Sequence, residues 1–237
     1  MSFAERRQNF VSSVSHELKT PLTAIRMYGE MLRDGLVASS EKRQQYYEVI
    51  TAESERLTRL VNNVLELSKL ERKNRELQLV AGSIERILEE VVEVLGPHAR
   101  REGFVLRIDC EKGIPDVLYD RDALLQVLFN LVDNAVKYSK GKGAGEIRLE
   151  ARRYGGAAAL SVVDEGPGVS EEQLKRVFEP FYRAESELTR TSKATGIGLA
   201  LVRGLVEAMG GTVAGENVAR GGSESTSRSL WRPSRSN

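Results

Sequence analysis

Phe10-Val11-Ser12-Ser13-Val14-Ser15-His16-Glu17-Leu18-Lys19-Thr20-Pro21-Leu22-Thr23 decides how the rest of this chain is read. With Val11, Leu18, Ile25 and Leu32 at heptad position a, Val14, Pro21 and Tyr28 fall at d, so one apolar seam runs along a long helix. His16 then occupies position f and faces water. A neutral imidazole held on a rigid helix beside the carboxylate of Glu17 is a usable nucleophile near neutral pH, where its ordinary pKa leaves most of it deprotonated. By position alone, the same pattern also describes a solvated surface histidine. Proline lacks an N–H and its ring clashes with the carbonyl four residues back, so Pro21 is expected to kink the helix one turn beyond His16.

Working outward, the first helix is expected from about Ala4 to Arg33, with Asp34-Gly35 as its stop, and a second from about Ser40 to Lys73. In the second, Ile50, Leu57 and Val64 recur every seven residues, with Glu53, Leu60 and Leu67 three further on. Two such helices make a hairpin that cannot bury its seam alone. Pairing two hairpins gives a four-helix bundle, so a homodimer is expected.

After Glu76 the period changes. Glu76–Val80 reads as a short strand, Ser83–Glu102 as an amphipathic helix, and Phe104–Cys110 as a strand. Val117–Tyr119 is a brief strand, and Asp120 can cap a helix running to about Ser139. Glu146–Tyr154 and Ala157–Asp164 read as a hairpin across Gly155-Gly156. Ser170-Glu171-Glu172-Gln173 is a capping box opening a helix that ends near Phe178. A polar loop over Ala184–Thr195, a helix over Gly196–Met209 and a strand over Gly211–Val218 follow. Strands and helices alternate irregularly, with hairpins, which argues for one mixed sheet with helices on one face.

Chemistry-bearing residues recur in this second part. Asn130 and Asn134 are four apart on one helical face, followed by Lys137, Tyr138 and Ser139. An amide oxygen is a hard neutral ligand suited to Mg²⁺ held chiefly by phosphates, although read alone the pattern is that of a helix with a polar stripe. Asp164-Glu165-Gly166-Pro167-Gly168 leaves an apolar strand; its carboxylate can accept from an exocyclic amine and its glycines admit close backbone approach. In isolation it is just as readily a tight turn. Gly196-Ile197-Gly198 opens a helix whose first amides can hold phosphate, and a lone G-x-G is a weak signal.

The stretch Ser15-His16-Glu17-Leu18-Lys19-Thr20-Pro21 resembles the phospho-acceptor box of sensor histidine kinases. The other three elements, spaced 30 residues from Asn134 to Asp164 and 32 from Asp164 to Gly196, resemble the N box and glycine boxes of the gyrase-type ATPases. Phe178-Glu179-Pro180-Phe181-Tyr182-Arg183 resembles the phenylalanine box of histidine kinases. The resemblance implies a two-helix hairpin dimerising into a four-helix bundle over residues 1–74, then a mixed-sheet α/β sandwich that binds ATP over 75–222. It implies that His16 Nε2 attacks the γ-phosphorus while Glu17 hydrogen-bonds Nδ1. Glu17 and Thr20 form the E-x-x-T pattern that accompanies phosphatase activity towards the partner. Asn134 would hold Mg²⁺, Lys137 and Arg183 would contact phosphate, Tyr138 would stack on the base, and Asp164 would read the adenine amino group. Gly166 and Gly168 would line the nucleotide site, and Gly196 and Gly198 would approach its phosphates. Related ATPases that use water carry a glutamate where Asn130 stands, and an amide cannot take a proton at neutral pH. The implied partner is a response-regulator receiver domain, to whose aspartate the phosphoryl group passes.

Composition sets bounds. The 35 basic and 34 acidic residues nearly cancel, so no general attraction to nucleic acid or membrane is expected and partners must be argued from sites. Cys110, the one cysteine, forms no intrachain disulfide, in keeping with a reducing compartment. With no long apolar run and no signal pattern, a cytoplasmic location is expected, with any membrane attachment through a sensor region upstream. The acceptor box begins so near Met1 that the chain reads as the transmitter part of a longer protein. Two departures stand out: Ala194 occupies a position where such kinases often have glycine, and residues 223–237 are Ser/Arg-rich with no period-2 pattern and with Pro233. The tail is therefore expected to form no strand, leaving one side of the Gly211–Val218 strand open, as a shifted reading frame or a vector-derived end would. A dimeric docking scaffold with an inert nucleotide domain is the competing reading. An anti-sigma-type serine kinase, sharing the ATP fold, gives no reason for the hairpin.

Overall fold

The computed structural model describes residues 3–37, 39–72, 75–139, 145–154, 157–182, 196–220 and 224–232. The chain divides into two compact units, Met1–Ser68 and Lys69–Asn237.

The first unit is a hairpin of α1 (Phe3–Arg33) and α2 (Ser40–Glu71). Gly35 takes the left-handed conformation at the turn, φ +67°, which glycine adopts without a Cβ clash. Val37 is buried just beyond it. The expected seam is the covered one: Val14, Leu18, Ile25, Tyr28 and Leu32 are half-buried and Pro21 is buried, whereas Val11 at its open end is exposed. Tyr28 and Tyr46 meet edge to face across the hairpin, ring centroids 4.7 Å apart. On α2 the d positions are deepest, with Leu60, Leu67 and also Glu53 buried.

The second unit begins with β1 (Val80–Gly82), α3 (Ile84–Arg101), β2 (Phe104–Cys110), β3 (Val117–Tyr119) and α4 (Arg121–Ser139). β4 (Gly145–Tyr154), β5 (Ala157–Val163), α5 (Glu171–Leu174), α6 (Gly198–Ala208), β6 (Thr212–Arg220) and β7 (Glu224–Arg232) complete it. β1 pairs antiparallel with β3. The main sheet has the order β2-β4-β5-β7-β6, with β2 and β4 parallel and every other neighbour antiparallel, the mixed sheet that the irregular alternation predicts. α3 packs on β2 and β4, α4 on β4 and β5, and α6 on β6, while α4 touches both other helices, so all three share one face. Ile147, Leu149 and Ala151 of β4 with Leu160 and Val162 of β5 form the sheet side of that core. Leu88, Val91, Leu124, Leu128, Leu201 and Leu205 supply the helical side.

Three expectations are corrected. The strand expected over Glu76–Val80 is Val80–Gly82 instead, because its partner β3 offers only three residues to pair with. Instead of joining a ladder, Gln78 donates its N–H to Asp120 Oδ2 at 2.8 Å, while Asp120 Oδ1 caps α4 by accepting from Ala123 N–H at 2.8 Å. The helix opened by the capping box is short: α5 ends at Leu174 and continues as turns.

The third correction is the largest. The Ser/Arg-rich end is not strandless, since Glu224–Arg232 is β7 and lies between β5 and β6. β6 pairs with it along its whole length, from Thr212 opposite Arg232 to Arg220 opposite Glu224, and β5 pairs over Leu160–Val163. The ladder uses backbone N–H and C=O groups, which every residue in this span supplies because Pro233 falls after it. The side of β6 expected to be open is therefore the paired one, and the second unit's strands run beyond residue 222.

Candidate functional sites

On α1, the heptad assignment puts the His16 side chain in water, and it is exposed. Thr20, one turn on, is exposed on the same side; its hydroxyl lies 3.5 Å from the His16 carbonyl oxygen, a long bond that leaves its direction adjustable. Glu17 is turned inward. Its Oε2 lies 3.4 Å from Arg56 Nη2 on α2, and Arg56 Nη1 lies 3.4 Å from Glu53 Oε2. Heptad spacing marks Glu53 as a seam position, but neither carboxylate's link to Arg56 was anticipated.

In the second unit, the start of α6 meets α4 at Asn130 and the loop after β5 meets its end at Ser139. Asp164 is 6% exposed and Ser139 3%. Asp164 Oδ1 accepts from Gly166 N–H at 2.8 Å and from the Ser139 hydroxyl at 3.3 Å. Charge-assisted bonds of this kind fix a carboxylate's direction. Gly166 is required here for space: a Cβ would stand 2.6 Å from Asp164 Oδ1 and 3.4 Å from the Tyr138 carbonyl oxygen. Ser139 was read only as the end of the helix. The signal that would have singled it out is its place directly after Lys137-Tyr138, where the last turn of α4 must meet the Asp164 strand.

Gly198 begins α6 beside Asn130, whose Oδ1 would lie 3.0 Å from a Cβ there. Asn130 Nδ2 donates to the Gln126 carbonyl at 2.8 Å, so its oxygen is the atom turned towards the glycine turn. Asn134, one turn later on the same face of α4, is half-buried. Lys137, also half-buried, is ion-paired with Asp133. Tyr138 is half-buried at the end of the same helix.

Gly196 has φ +67° and packs on the backbone of Phe181, to whose Cα a Cβ would approach within 2.8 Å. Phe181 N–H donates to the Gly196 carbonyl at 2.8 Å, and Phe181 itself has φ 62°, unusual for a bulky residue. The phenylalanine box and the second glycine box are thus tied backbone to backbone. Arg176 lies over the Tyr182 ring, 4.3 Å from its centroid. Gly168, φ +68°, is followed by Val169, whose N–H donates to Asn217 Oδ1 of β6 at 3.2 Å while Asn217 Nδ2 donates back to its carbonyl. Asn217 was not anticipated as a partner of this loop. Arg183 and Ala194 lie outside the described residues.

Among the described residues, no group of three His, Cys, Asp or Glu side chains is placed to hold a metal. No helix among them is long and apolar enough to cross a membrane.

Two families match the chain: the His Kinase A phospho-acceptor domain over residues 6–73, and the histidine kinase-, DNA gyrase B- and HSP90-like ATPase over residues 119–231. The sensor histidine kinase WalK of Bacillus subtilis is 32% identical over 218 residues, covering 90% of this chain. The chain spans 35% of that relative's length. Among solved structures, Acinetobacter baumannii histidine kinase AdeS aligns with TM-score 0.74 over 94% of this chain and 98% of its own, at 26% identity. Full-length ShkA in complex with AMPPNP aligns with TM-score 0.66 over 95% of this chain and 45% of its own, at 28% identity.

Proposed function

Because the chain belongs to the histidine kinase family, as a transmitter region carrying its phospho-acceptor and ATPase domains, we propose that it is an ATP-dependent protein-histidine kinase acting on His16. The observation that carries the reading is that α4 meets both glycine boxes, the Gly198 start of α6 at Asn130 and the Asp164–Gly166 loop at Tyr138-Ser139. Asp164, already oriented by Gly166 and Ser139, accepts from the adenine amino group, and Tyr138 stacks on the base. The first amides of α6 and the Lys137 ammonium are the groups suited to the phosphates, with Arg183, by its place in the phenylalanine box, in the same role. Asn134 fits a Mg²⁺ that arrives on the nucleotide: its oxygen is hard and neutral, and the described residues hold no acidic cluster that would bind the ion without phosphates. Bound there, the ion would offset charge on the β- and γ-phosphates.

In the transfer, the lone pair of His16 Nε2 forms the N–P bond as the bond from the γ-phosphorus to the bridging oxygen breaks and ADP leaves. A receiver-domain aspartate then attacks the same phosphorus and the N–P bond breaks, restoring the imidazole. Asn130 has no proton-accepting side chain, so water is not activated beside the nucleotide and ATP is held for the histidine. Exposed apolar side chains on the hairpin, among them Val11, Leu22, Met27, Val61 and Leu65, support a homodimer in which a second hairpin completes a four-helix bundle.

Labelling with γ-labelled ATP followed by acid and base treatment tests the chemistry, because a phosphoramidate is acid-labile and base-stable. His16→Gln should abolish that label and leave ATP affinity intact. Base-stable label persisting in His16→Gln removes the assignment, and absence of nucleotide binding by the parent chain favours the docking-scaffold reading.

A further inference from the structure

Glu17, Arg56 and Glu53 form a cluster of inward-facing charges across the hairpin, of which the reaction as set out above does not use Arg56 and Glu53. We propose that Arg56 is a positioning residue for phosphoryl transfer, acting through Glu17 on His16. The proposal rests on the reading of His16 as acceptor and Glu17 as its hydrogen-bonding partner.

The geometry gives a chain of orientation running from the seam to Glu17, the residue next to the acceptor. Glu53 occupies a d position otherwise taken by leucines, and its side chain is only 5% exposed. A carboxylate there is tolerated only when paired. Arg56, at 12% exposure, reaches it with Nη1 and reaches Glu17, at 18% exposure, with Nη2. The two acids are thus held by separate nitrogens of one planar fork. Such a fork transmits direction: Glu53 sets the plane of the guanidinium, and the guanidinium sets where the Glu17 carboxylate points. A lysine in its place is a point charge without that directional property.

Glu17 is covalently next to His16 but is placed from the opposite helix. The chemical consequence concerns Nδ1. An ionised carboxylate accepts several hydrogen bonds, so a bond from Arg56 is compatible with a second from His16 Nδ1–H. With its proton retained on Nδ1, the imidazole carries its lone pair on Nε2, the atom that attacks. As the N–P bond forms, the ring becomes an imidazolium whose Nδ1 proton stays in place beside the Glu17 carboxylate, and no proton has to leave. Arg56 touches neither ATP nor the histidine in this scheme.

The test uses the full chain and initial rates of labelling from γ-labelled ATP over a range of ATP concentrations. Arg56→Gln alone would take the cation from beside the buried Glu53 carboxylate and threaten the fold, so the informative variant is Glu53→Gln/Arg56→Gln, which removes both charges of that pair and leaves Glu17 in place. It should lower kcat by about tenfold or more, the scale of a lost hydrogen bond to a charged group, with KM for ATP unchanged because the nucleotide site lies in the other unit. Arg56→Lys, which keeps the charge and the fold, should recover only part of kcat. In a Glu17→Gln background, adding Glu53→Gln/Arg56→Gln should change nothing further, because the route through Glu17 is already cut.

Wild-type kcat in Glu53→Gln/Arg56→Gln overturns the proposal, and so does an equal fall with and without Glu17. If the double variant does not fold, full kcat in Arg56→Lys overturns it instead. A Glu17→Gln chain that labels at the wild-type rate shows that the underlying reading of Glu17 has failed. A slow Glu17→Gln with an unaffected double variant sinks the role of Arg56 alone.

Discussion

Replacing Gly166 by alanine adds one methyl group where the second unit has no room for it. The new Cβ would meet Asp164 Oδ1 at 2.6 Å, the Tyr138 carbonyl oxygen at 3.4 Å and Ser139 Oγ at 3.6 Å. Something must shift at the first of these. Tyr138 and Ser139 close the last turn of α4, which is held by a buried helix face, so the group that gives is the Asp164 side chain. Moving it breaks the 2.8 Å bond from Gly166 N–H and disturbs the one from Ser139. A hydrogen bond to a charged group contributes ~1.5–3 kcal/mol, and an extra methyl in a packed site costs ~1–3 kcal/mol. If only the first of these falls on nucleotide binding, the Kd for ATP rises roughly ten- to hundredfold. Titration calorimetry with ATP·Mg²⁺ on parent and Gly166→Ala chains measures this directly. Gly29→Ala on α1 is the matched control, because its Cβ meets nothing within 4 Å. It should leave ATP affinity unchanged and stabilise the hairpin by up to ~1 kcal/mol. A Gly166→Ala chain that binds ATP within twofold of the parent would show that the orientation of Asp164 does not govern affinity.

Thr20→Ala should keep autophosphorylation and lose most phosphatase activity towards the phosphorylated receiver, since the exposed hydroxyl one turn from His16 can orient a water and a methyl cannot; equal dephosphorylation by both chains would refute this. Burial, reinforced by the nearby Glu85 carboxylate, pushes the Cys110 thiol above its ordinary pKa, which lowers its thiolate fraction at neutral pH. Alkylation by iodoacetamide should accordingly run slower on the native chain than on the chain in urea, and matching rates would count against the burial argument. Ending the chain at Arg220 removes β7 from between β5 and β6, so the second unit should lose its ATP-stabilised melting transition while hairpin helicity by circular dichroism persists. An unchanged ATP-dependent transition would show that β7 contributes nothing.

The hairpin was legible because its seam recurs every seven residues and its stop, Asp34-Gly35, is local. The mixed sheet was legible through changes of period and through the β4–β5 hairpin, in which Tyr154 stands opposite Ala157; Gly155-Gly156, expected as its turn, lies outside the described residues. The candidate site residues were proposed from a specific acceptor box around His16 and, in the second unit, from the order and spacing of short motifs that are each weak alone. What the sequence did not give up is contact between distant positions. Glu17 and Arg56 are 39 residues apart, Ser139 and Asp164 25, and Val169 and Asn217 48. Periodicity assigns each side chain a direction from its own element, and only the fold determines what it meets.

β7 failed to be legible for a different reason. Alternation of apolar and polar residues tests whether a strand has one buried face; it does not test whether a backbone can pair. Residues 224–232 have an uninterrupted set of peptide N–H groups. β5 and β6 stand one strand apart in the sheet. Leaving that position empty would expose the ladder groups of both neighbours, a strong drive for the next available segment to fill it. Pairing is therefore imposed by the neighbours, and the Ser/Arg-rich composition determines only what faces the strand presents.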